Sequence, residues 1–500
     1  MARPFVAAVI VSASVAVGFS PRHPRRAALV EDPSGCGAKC HGHGALLEGL
    51  DGHHEPGPPH PLWEPRWDLL GGGEVPMCCF MLFFSGIFCA AAGVGGGGVF
   101  VAVLLVAGRL TPHDAIPMSK AIVFFGAVAS LLVNLRKSGL GTEGSTIDIE
   151  VCKLVVPAAL MGTFLGVLLN WHISDMYITS TLAFVLVGMT AMVTRIALQQ
   201  YVQETRAALE PPLPEQQIAL GAKPPAEAIE CILAVGLLLI VIVAGTARHH
   251  INACARDMHF GNSIGLDACS HPFVHFVFGR GGMEPWFTSP LSTATIYAMM
   301  DGIPLFSCAA LGARSAYDTI VAAPDRAAGV LRVVIFQSMA LVAGILAGLV
   351  GIGGGLIFSP FFVVVGMDPA IAVGSSSACV LFTSSSTTMQ YAFTDRIILS
   401  LAVLYGIAVL SASFVGTMLV HKLKENFPLR KSYITLIVAM SLAASAILVV
   451  IKLVSFLHAE NDGPSGATPP SRSMAIIEAA SLIEARAPVP HARALVRRGP

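Results

Sequence analysis

From residue 77 onward, long apolar runs alternate with short polar stretches. Apolar segments fall at 77–109, 115–135, 151–170, 176–197, 228–247, 291–313, 329–366, 371–393, 397–420 and 433–457. About 20 apolar residues cross a ~30 Å hydrocarbon layer as a helix, so each run predicts a membrane segment. Two of them, 77–109 and 329–366, are too long for one straight crossing, and each carries a glycine cluster inside. A polar linker with "PPLPEQQ" and "KPP" parts the fourth run from the fifth, and residues 249–290 form the longest interior loop.

The ends of the chain read differently. "MARP" precedes "FVAAVIVSASVAVGF", with a small-x-small pattern at Ala16 and Gly18, which predicts a signal peptide over 1–18. The following "FSPRHPRRAALV" is basic and free of acids. It fits an ordinary luminal segment of the secretory pathway (ER or plasma membrane) or a bipartite leader to a plastid envelope. Residues 31–76, rich in Gly, Pro and His, predict little order. The tail 458–500 is polar, with a short amphipathic stretch at "MAIIEAASLIEA".

Composition agrees with the pattern. Apolar residues make up 54% and charged residues 12% of the 500, and mean hydropathy is +0.71. A soluble chain of this size carries about twice that charge. The expected fold is an all-α polytopic membrane protein embedded in a lipid bilayer. The zero formal net charge says nothing of partners; a small anionic substrate and the bilayer, and no nucleic acid, are expected.

The stretch "GVGGGGVF" at 93–100 fits the dinucleotide fingerprint as Gly93-x-Gly95-x-x-Gly98. That fingerprint needs a strand before it, a helix after it and an acid ~20 residues on. Here it lies in about thirty residues without a charge, and no Lys-Ser/Thr follows to make a P-loop. The cluster also returns, as "GIGGGLIF" at 351–358, and "TPHDAIPMSKA" at 111–121 answers "DPAIAVGSSSA" at 368–378 with a one-residue slip. Pro112 then faces Pro369, Ala115 faces Ala372, Ser119 faces Ser376 and Ala121 faces Ala378. A nucleotide loop has no reason to occur twice inside apolar segments, whereas a transporter built from repeats does. The domains expected are the leader, a segment over 19–76, a first membrane repeat at 77–197, and a linker with two membrane helices at 198–328. A second repeat at 329–457 and the tail complete them.

Glycine runs interrupt helices, and in lipid the freed backbone groups persist only where protein or a water-filled cavity meets them. Paired interruptions therefore point to a binding site near the bilayer midplane. The half-helix after each cluster presents a positive N-terminal end, which suits an anion. Whether the broken segments cross or dip in and return follows from charge. Arg136, Lys137, Lys153, Arg195, Arg206, Lys223, Arg314, Arg326 and Arg332 fall in one set of loops and flanks, and Arg109, Arg248, Arg256 and Arg280 in the other. Re-entrant hairpins put the larger set inside, together with Lys422, Lys424, Arg430 and Lys431, as the positive-inside rule prefers. The expected architecture is thus two inverted repeats, each a Gly-broken re-entrant helix plus three spans, joined by two linking helices.

"GVGGGGVFVAVLLVAGRLTPHDAIPMSKAI" with "VNLR", and "GLVGIGGGLIFSPFFVVVGMDPAIAVGSSSA", resemble the sulfite exporter TauE/SafE family of membrane transporters. "FTSSSTTMQYAFTDRI", "SFVGTMLVHKL" and "LRKSYI" resemble its plant and protist branch, and the likeness covers roughly 77–457. The resemblance implies movement of sulfite, sulfonates or related small anions, with proton coupling. The family's proline after the glycine run is matched by Pro360, while the first half has Ala102.

Candidate donors to a desolvated anion are the backbone of Gly95, Gly96, Gly97, Gly353, Gly354 and Gly355 and the hydroxyls of Ser119, Ser375, Ser376 and Ser377. Serines in membrane helices also bond their own i−4 carbonyls, which would leave some of these inert. Lys120 lies inside an apolar helix; it either meets substrate or snorkels to the interface, and its repeat partner is Ser377. Asp301 is a proton-coupling candidate or the partner of a base, and Gln390 and Asn134 are candidates for a polar path. Cys254 and Cys269 could form a disulfide in the long loop; the remaining membrane cysteines read as small core residues. "CGAKCHGHG" lacks a second pair to complete a zinc site, so no metal and no cofactor are expected. HExxH and GxSxG are absent from the spans, which leaves an enzyme unsupported. An anion-selective channel and a non-transporting scaffold or receptor with the same fold remain the alternatives.

Overall fold

The structure, a computed structural model, describes residues 73–91, 95–138, 147–170, 172–207, 226–260, 290–323, 325–367, 369–394, 396–426 and 432–461. The leader, the Cys/His tract, most of the long loop and the polar tail lie outside these residues. Among the described residues the chain forms twelve α-helices. They are α1 Glu74–Ala91, α2 Gly97–Val106, α3 Pro112–Ser138, α4 Ile149–Asn170, α5 Asp175–Ala207 and α6 Ala226–Phe260. The rest are α7 Pro290–Ala322, α8 Arg326–Val350, α9 Gly355–Val364, α10 Pro369–Phe393, α11 Leu399–Asn426 and α12 Ser432–Asn461. The chain divides into residues 1–451, which hold the helical body, and 452–500, of which 452–461 are described, as helix.

Local chemistry sets the helix ends. Thr111 caps α3 by accepting from Asp114 N at 3.3 Å and donating to Asp114 Oδ2 at 2.7 Å, with Pro112 at the first helical position. Asp148 Oδ1 accepts from Val151 N at the start of α4, and Asp325 Oδ1 from Ala327 N at the start of α8. α8 stops at Gly351, whose φ of 78° is the left-handed conformation that glycine adopts without a Cβ penalty. Each over-long apolar segment is thereby two helices: α1 and α2 in the first half, α8 and α9 in the second. α2 and α9 are both 10 residues long, although only α9 carries the proline.

Six helices are long and apolar enough to cross a membrane by length and composition: within α3, α4, α5, α6, α8 and α11. The most apolar stretch of α3 is 83% buried and that of α5 only 28%, so α3 belongs to the centre and α5 to the lipid-facing rim. Phe184, Phe306 and Ile232 stand out from the body, as lipid contact requires. α10 falls short of the apolar criterion because it carries Ser375–Ser377 and Thr383–Thr388. It is central instead, packed on α3, α4, α6 and α9. Its hydroxyls bond their own helix: Ser384 to Val380 O, Ser385 to Phe382 O and Thr387 to Thr383 O.

The closest packing is α4 on α8. Gly162 and Gly166 meet Gly344 and Gly348 backbone to backbone, a small-xxx-small crossing on both sides. Contacts pair Ala159 with Gly344, Thr163 with Gly348 and Asn170 with Leu349, so the two helices run parallel. α1 lies parallel to α11, with Cys78 against Tyr405, Gly86 against Ala412 and Ile87 against Gly416. The places of Ile87 and Gly416 correspond to those of Gly344 and Ala159 by the same offset that relates Pro112 to Pro369. α3 also runs parallel to α11, from Phe125–Gly406 to Ser130–Thr417. α4 runs parallel to α10, from Cys152–Cys379 to Asn170–Arg396.

Polar pairs mark two ends of the bundle. At one, Lys153 of α4 holds Glu230 of α6 and, at 3.1 Å, Asp318 of α7. At the other, the start of α3, the end of α4, the start of α5 and the end of α10 come together around Arg396.

Candidate functional site

The two glycine clusters meet. Gly95 packs on Gly355, and a Cβ built on Gly97 would run into the backbone of Gly353 and Ile352. The segments pass each other in opposite directions, 95 beside 355 and 97 beside 353. Gly95 and Gly96 hold φ of 72° and 66°, so the turn into α2 is left-handed for two residues. A Cβ on Gly354 would meet only the Phe358 ring. Because a helix's first N–H groups have no acceptor within it, the start of α2 presents donors where the clusters cross, whereas at α9 Leu356 N and Ile357 N already donate to Gly353 O and Gly354 O at 3.0 Å.

Ser119 and Lys120 bind the crossing together. Ser119 Oγ is 3.1 Å from Gly97 O and 3.1 Å from Gly351 O, one carbonyl from each half. Lys120 is fully buried, and its Nζ donates to Ile352 O at 3.1 Å. Among the described residues no carboxylate lies within ion-pair distance of it. The snorkelling alternative therefore does not describe this lysine: its stem turns inward, across to the opposite half.

The three serines of α10 part ways. Ser375 Oγ accepts from Asp148 N at 2.8 Å, tying α10 to the start of α4. Ser376 is buried. Ser377 bonds Val373 O, four residues back, and also lines a small cleft. The cleft brings Gly95 and Ser377 together with Ser130 of α3, Ser413 of α11, Cys89 and Phe100. Ser130 and Ser413 are absent from the sequence reading, since lone serines in apolar helices carry no signal of their own. Lys120 is not among the residues that line this cleft.

Other candidates fall elsewhere. Asp301 Oδ1 lies 3.0 Å from Arg248 Nε, joining α7 to α6, which is the base-paired alternative of the sequence reading. Gln390 donates to Ser386 Oγ and lies against Gly245 of α6, and Asn134 is buried in α3. Cys269 lies outside the described residues, as does the side chain of Cys254, so their pairing is not addressed. Cys78, Cys79, Cys89, Cys152, Cys231, Cys308 and Cys379 are free thiols.

Comparison with known proteins places this geometry. Sulfite exporter TauE/SafE family protein 1 of Arabidopsis thaliana is 24% identical over 383 residues, which span 73% of this chain and 81% of that protein. Family protein 3 of the same plant is 24% identical over 406 residues, spanning 77% and 79%. No solved structure matches the chain. The family model described as Sulfite exporter TauE/SafE matches residues 78–253 and 286–476, and the chain belongs to that family of membrane transporters.

Proposed function

We propose that the chain is a secondary transporter that moves sulfite, a sulfonate or a related small anion across a membrane, coupled to protons. The anion is held where the two glycine clusters meet. The observation that carries this reading is Lys120: a fully buried amine at the crossing, donating to one carbonyl and, among the described residues, with no carboxylate within ion-pair distance. A buried cation is costly without a counter-charge, and a small anion arriving at the crossing supplies one. The hydroxyls of Ser130 and Ser413, which line the cleft, and the N–H groups at the start of α2 offer neutral donors.

Helix directions support re-entrant, inverted hairpins. If α1 and α2 made one crossing, α3 would run against α1; instead both run with α11. Likewise α8 and α10 both run with α4. Because α3 and α4 are successive crossings, the first hairpin enters from one side and the second from the other. This arrangement gathers the more basic loops at one end, as the positive-inside rule prefers. Two opposed hairpins in contact give a site that either side can reach by rocking one half against the other.

Uptake of radiolabelled sulfite and of a radiolabelled sulfonate into proteoliposomes, with and without a pH gradient, tests the proposal. Saturable uptake that rises with an inward proton gradient is the expected result. Leakage that is unsaturable and indifferent to the gradient would instead mean an anion channel.

A further inference from the structure

At the end of the bundle opposite Lys153, four side chains from separate elements form a continuous chain of contacts. His113, in the first turn of α3, has Nε2 3.2 Å from Asp175 Oδ1 at the start of α5. Its Nδ1 lies 3.4 Å from Nη2 of Arg396, just beyond α10. Arg396 Nη1 donates to Asn170 Oδ1 at 3.4 Å, and Asn170 Nδ2 donates to Leu349 O at 2.8 Å. The Arg396 guanidinium also stands 6.0 Å over the ring of Tyr391, whose hydroxyl donates to Gly348 O. The chain thus ends on the last carbonyls of α8, immediately before the Gly351 break.

The chemistry of this contact has two exclusive states. A guanidinium has donors and no acceptor, so its approach to Nδ1 requires a lone pair there. The proton of the neutral imidazole is then on Nε2, facing Asp175. A second proton has only Nδ1 to occupy, where it sets N–H against N–H and one cation beside another. Imidazolium and the Arg396 contact cannot coexist.

Asp175 is placed to hold the imidazolium. Its Oδ1 is sealed from water and accepts no hydrogen bond of good geometry, although Nε2 is close. The charged groups around this carboxylate are His113, Asp114 and Arg396. Asp114 is occupied by the Thr111 hydroxyl, and Asp395, beside Arg396 in sequence, lies outside the described residues. The His113 side chain keeps 32% exposure, so protons reach it from the aqueous surface. The repeat puts Ala370 at the position of His113, so the fold shared by the two halves does not require this histidine.

We propose that His113 is a proton-binding site of this transporter. Protonation at Nδ1 expels Arg396, which loosens its hold on Asn170 and frees the end of α8 beside the glycine crossing, while the His113–Asp175 pair tightens. Its part in transport rests on the function proposed above; the switch itself does not. Histidine suits the task because its ordinary titration lies near neutrality.

Two measurements on the full-length protein test this. The amides of Thr394 and Arg396 donate to Gln390 O and Tyr391 O. Their hydrogen exchange, corrected for the chemical rate, is expected to rise by roughly tenfold from about pH 8 to about pH 5. It should stay flat in His113→Gln, whose amide oxygen accepts from Arg396 at either pH. In proteoliposomes, an inward gradient of about one pH unit should raise wild-type sulfite uptake by up to roughly tenfold and His113→Gln uptake hardly at all. Asp175→Asn, which removes the partner of the imidazolium, should also lower that ratio, and serves where His113→Gln does not assemble. Flat exchange in the wild type, or full gradient stimulation in both variants, overturns the proposal. If the wild type carries neither sulfite nor a sulfonate, the transport reading fails by itself, and the exchange data alone sustain or overturn the switch.

Discussion

Two serines in different helices show how differently similar side chains act here. Ser119 bridges Gly97 O and Gly351 O, whereas Ser384 bonds a carbonyl of its own helix. Ser119→Ala should cost about 1–3 kcal/mol, because the buried crossing loses the one hydroxyl donor placed between Gly97 O and Gly351 O, and Ser384→Ala much less. Thermal unfolding of the detergent-solubilised protein checks the contrast. The glycines divide in the same way. Gly97→Ala drives a methyl group into backbone and should cost about 1–3 kcal/mol or prevent assembly, while Gly354→Ala meets a ring that can turn aside. Lys120→Met keeps the length of the side chain and removes its charge. It should leave the protein folded by size-exclusion chromatography and lower sulfite uptake at least about tenfold, or ~1.4 kcal/mol. Normal uptake in that variant would remove the main support for the anion site.

Among the elements, α10 and the α4–α8 pair depart most from a reading by hydropathy. α10 has too many hydroxyls to read as a lipid-facing span, yet it is central, and the hydroxyls of Thr383, Ser384, Ser385 and Thr387 bond carbonyls of the helix itself. α4 and α8 read as plain apolar runs, and their paired small-xxx-small spacing was legible in "GTFLG" and "GILAG" without revealing that the two were partners. Partnership across nearly two hundred residues is a tertiary fact. Gly162→Leu or Gly348→Leu should abolish folded yield, since the lost approach is backbone to backbone, with no side chain to give way. Size-exclusion profiles after solubilisation read this directly, and a monodisperse Gly348→Leu protein would mean the crossing is looser than described.

At the scale of the molecule, the proposed re-entrant hairpins would put residues 139–146, 208–225 and 427–431 on one side of the membrane and 107–111 and 261–289 on the other. Single cysteines in a background without native thiols should therefore react with an impermeant maleimide from opposite sides, 139–146 together with 427–431 and 261–289 apart. Labelling of 139–146 from the side opposite to 427–431, together with 261–289 on the side of 427–431, would mean that the broken segments cross outright. The charge distribution already favoured this outcome, because the loops holding Arg136, Arg206 and Lys422 share a sign.

Sequence alone was enough for the class of protein, the positions of nearly every membrane helix and the duplication. Hydropathy and glycine spacing are local properties, and Gly93–Gly98 against Gly351–Gly355 repeats in plain view. It also named Gly95, Ser119 and Lys120, since breaks and buried charge are conspicuous in apolar surroundings. Only the tertiary structure decided what those groups touch. Lys120 reaches Ile352, Asp301 meets Arg248, lone serines on α3 and α11 share a cleft with Ser377, and His113, Asn170, Asp175 and Arg396 form one network. The reason is physical: burial preference is written along the chain, but a hydrogen-bond partner is fixed by the packing of helices far apart in it.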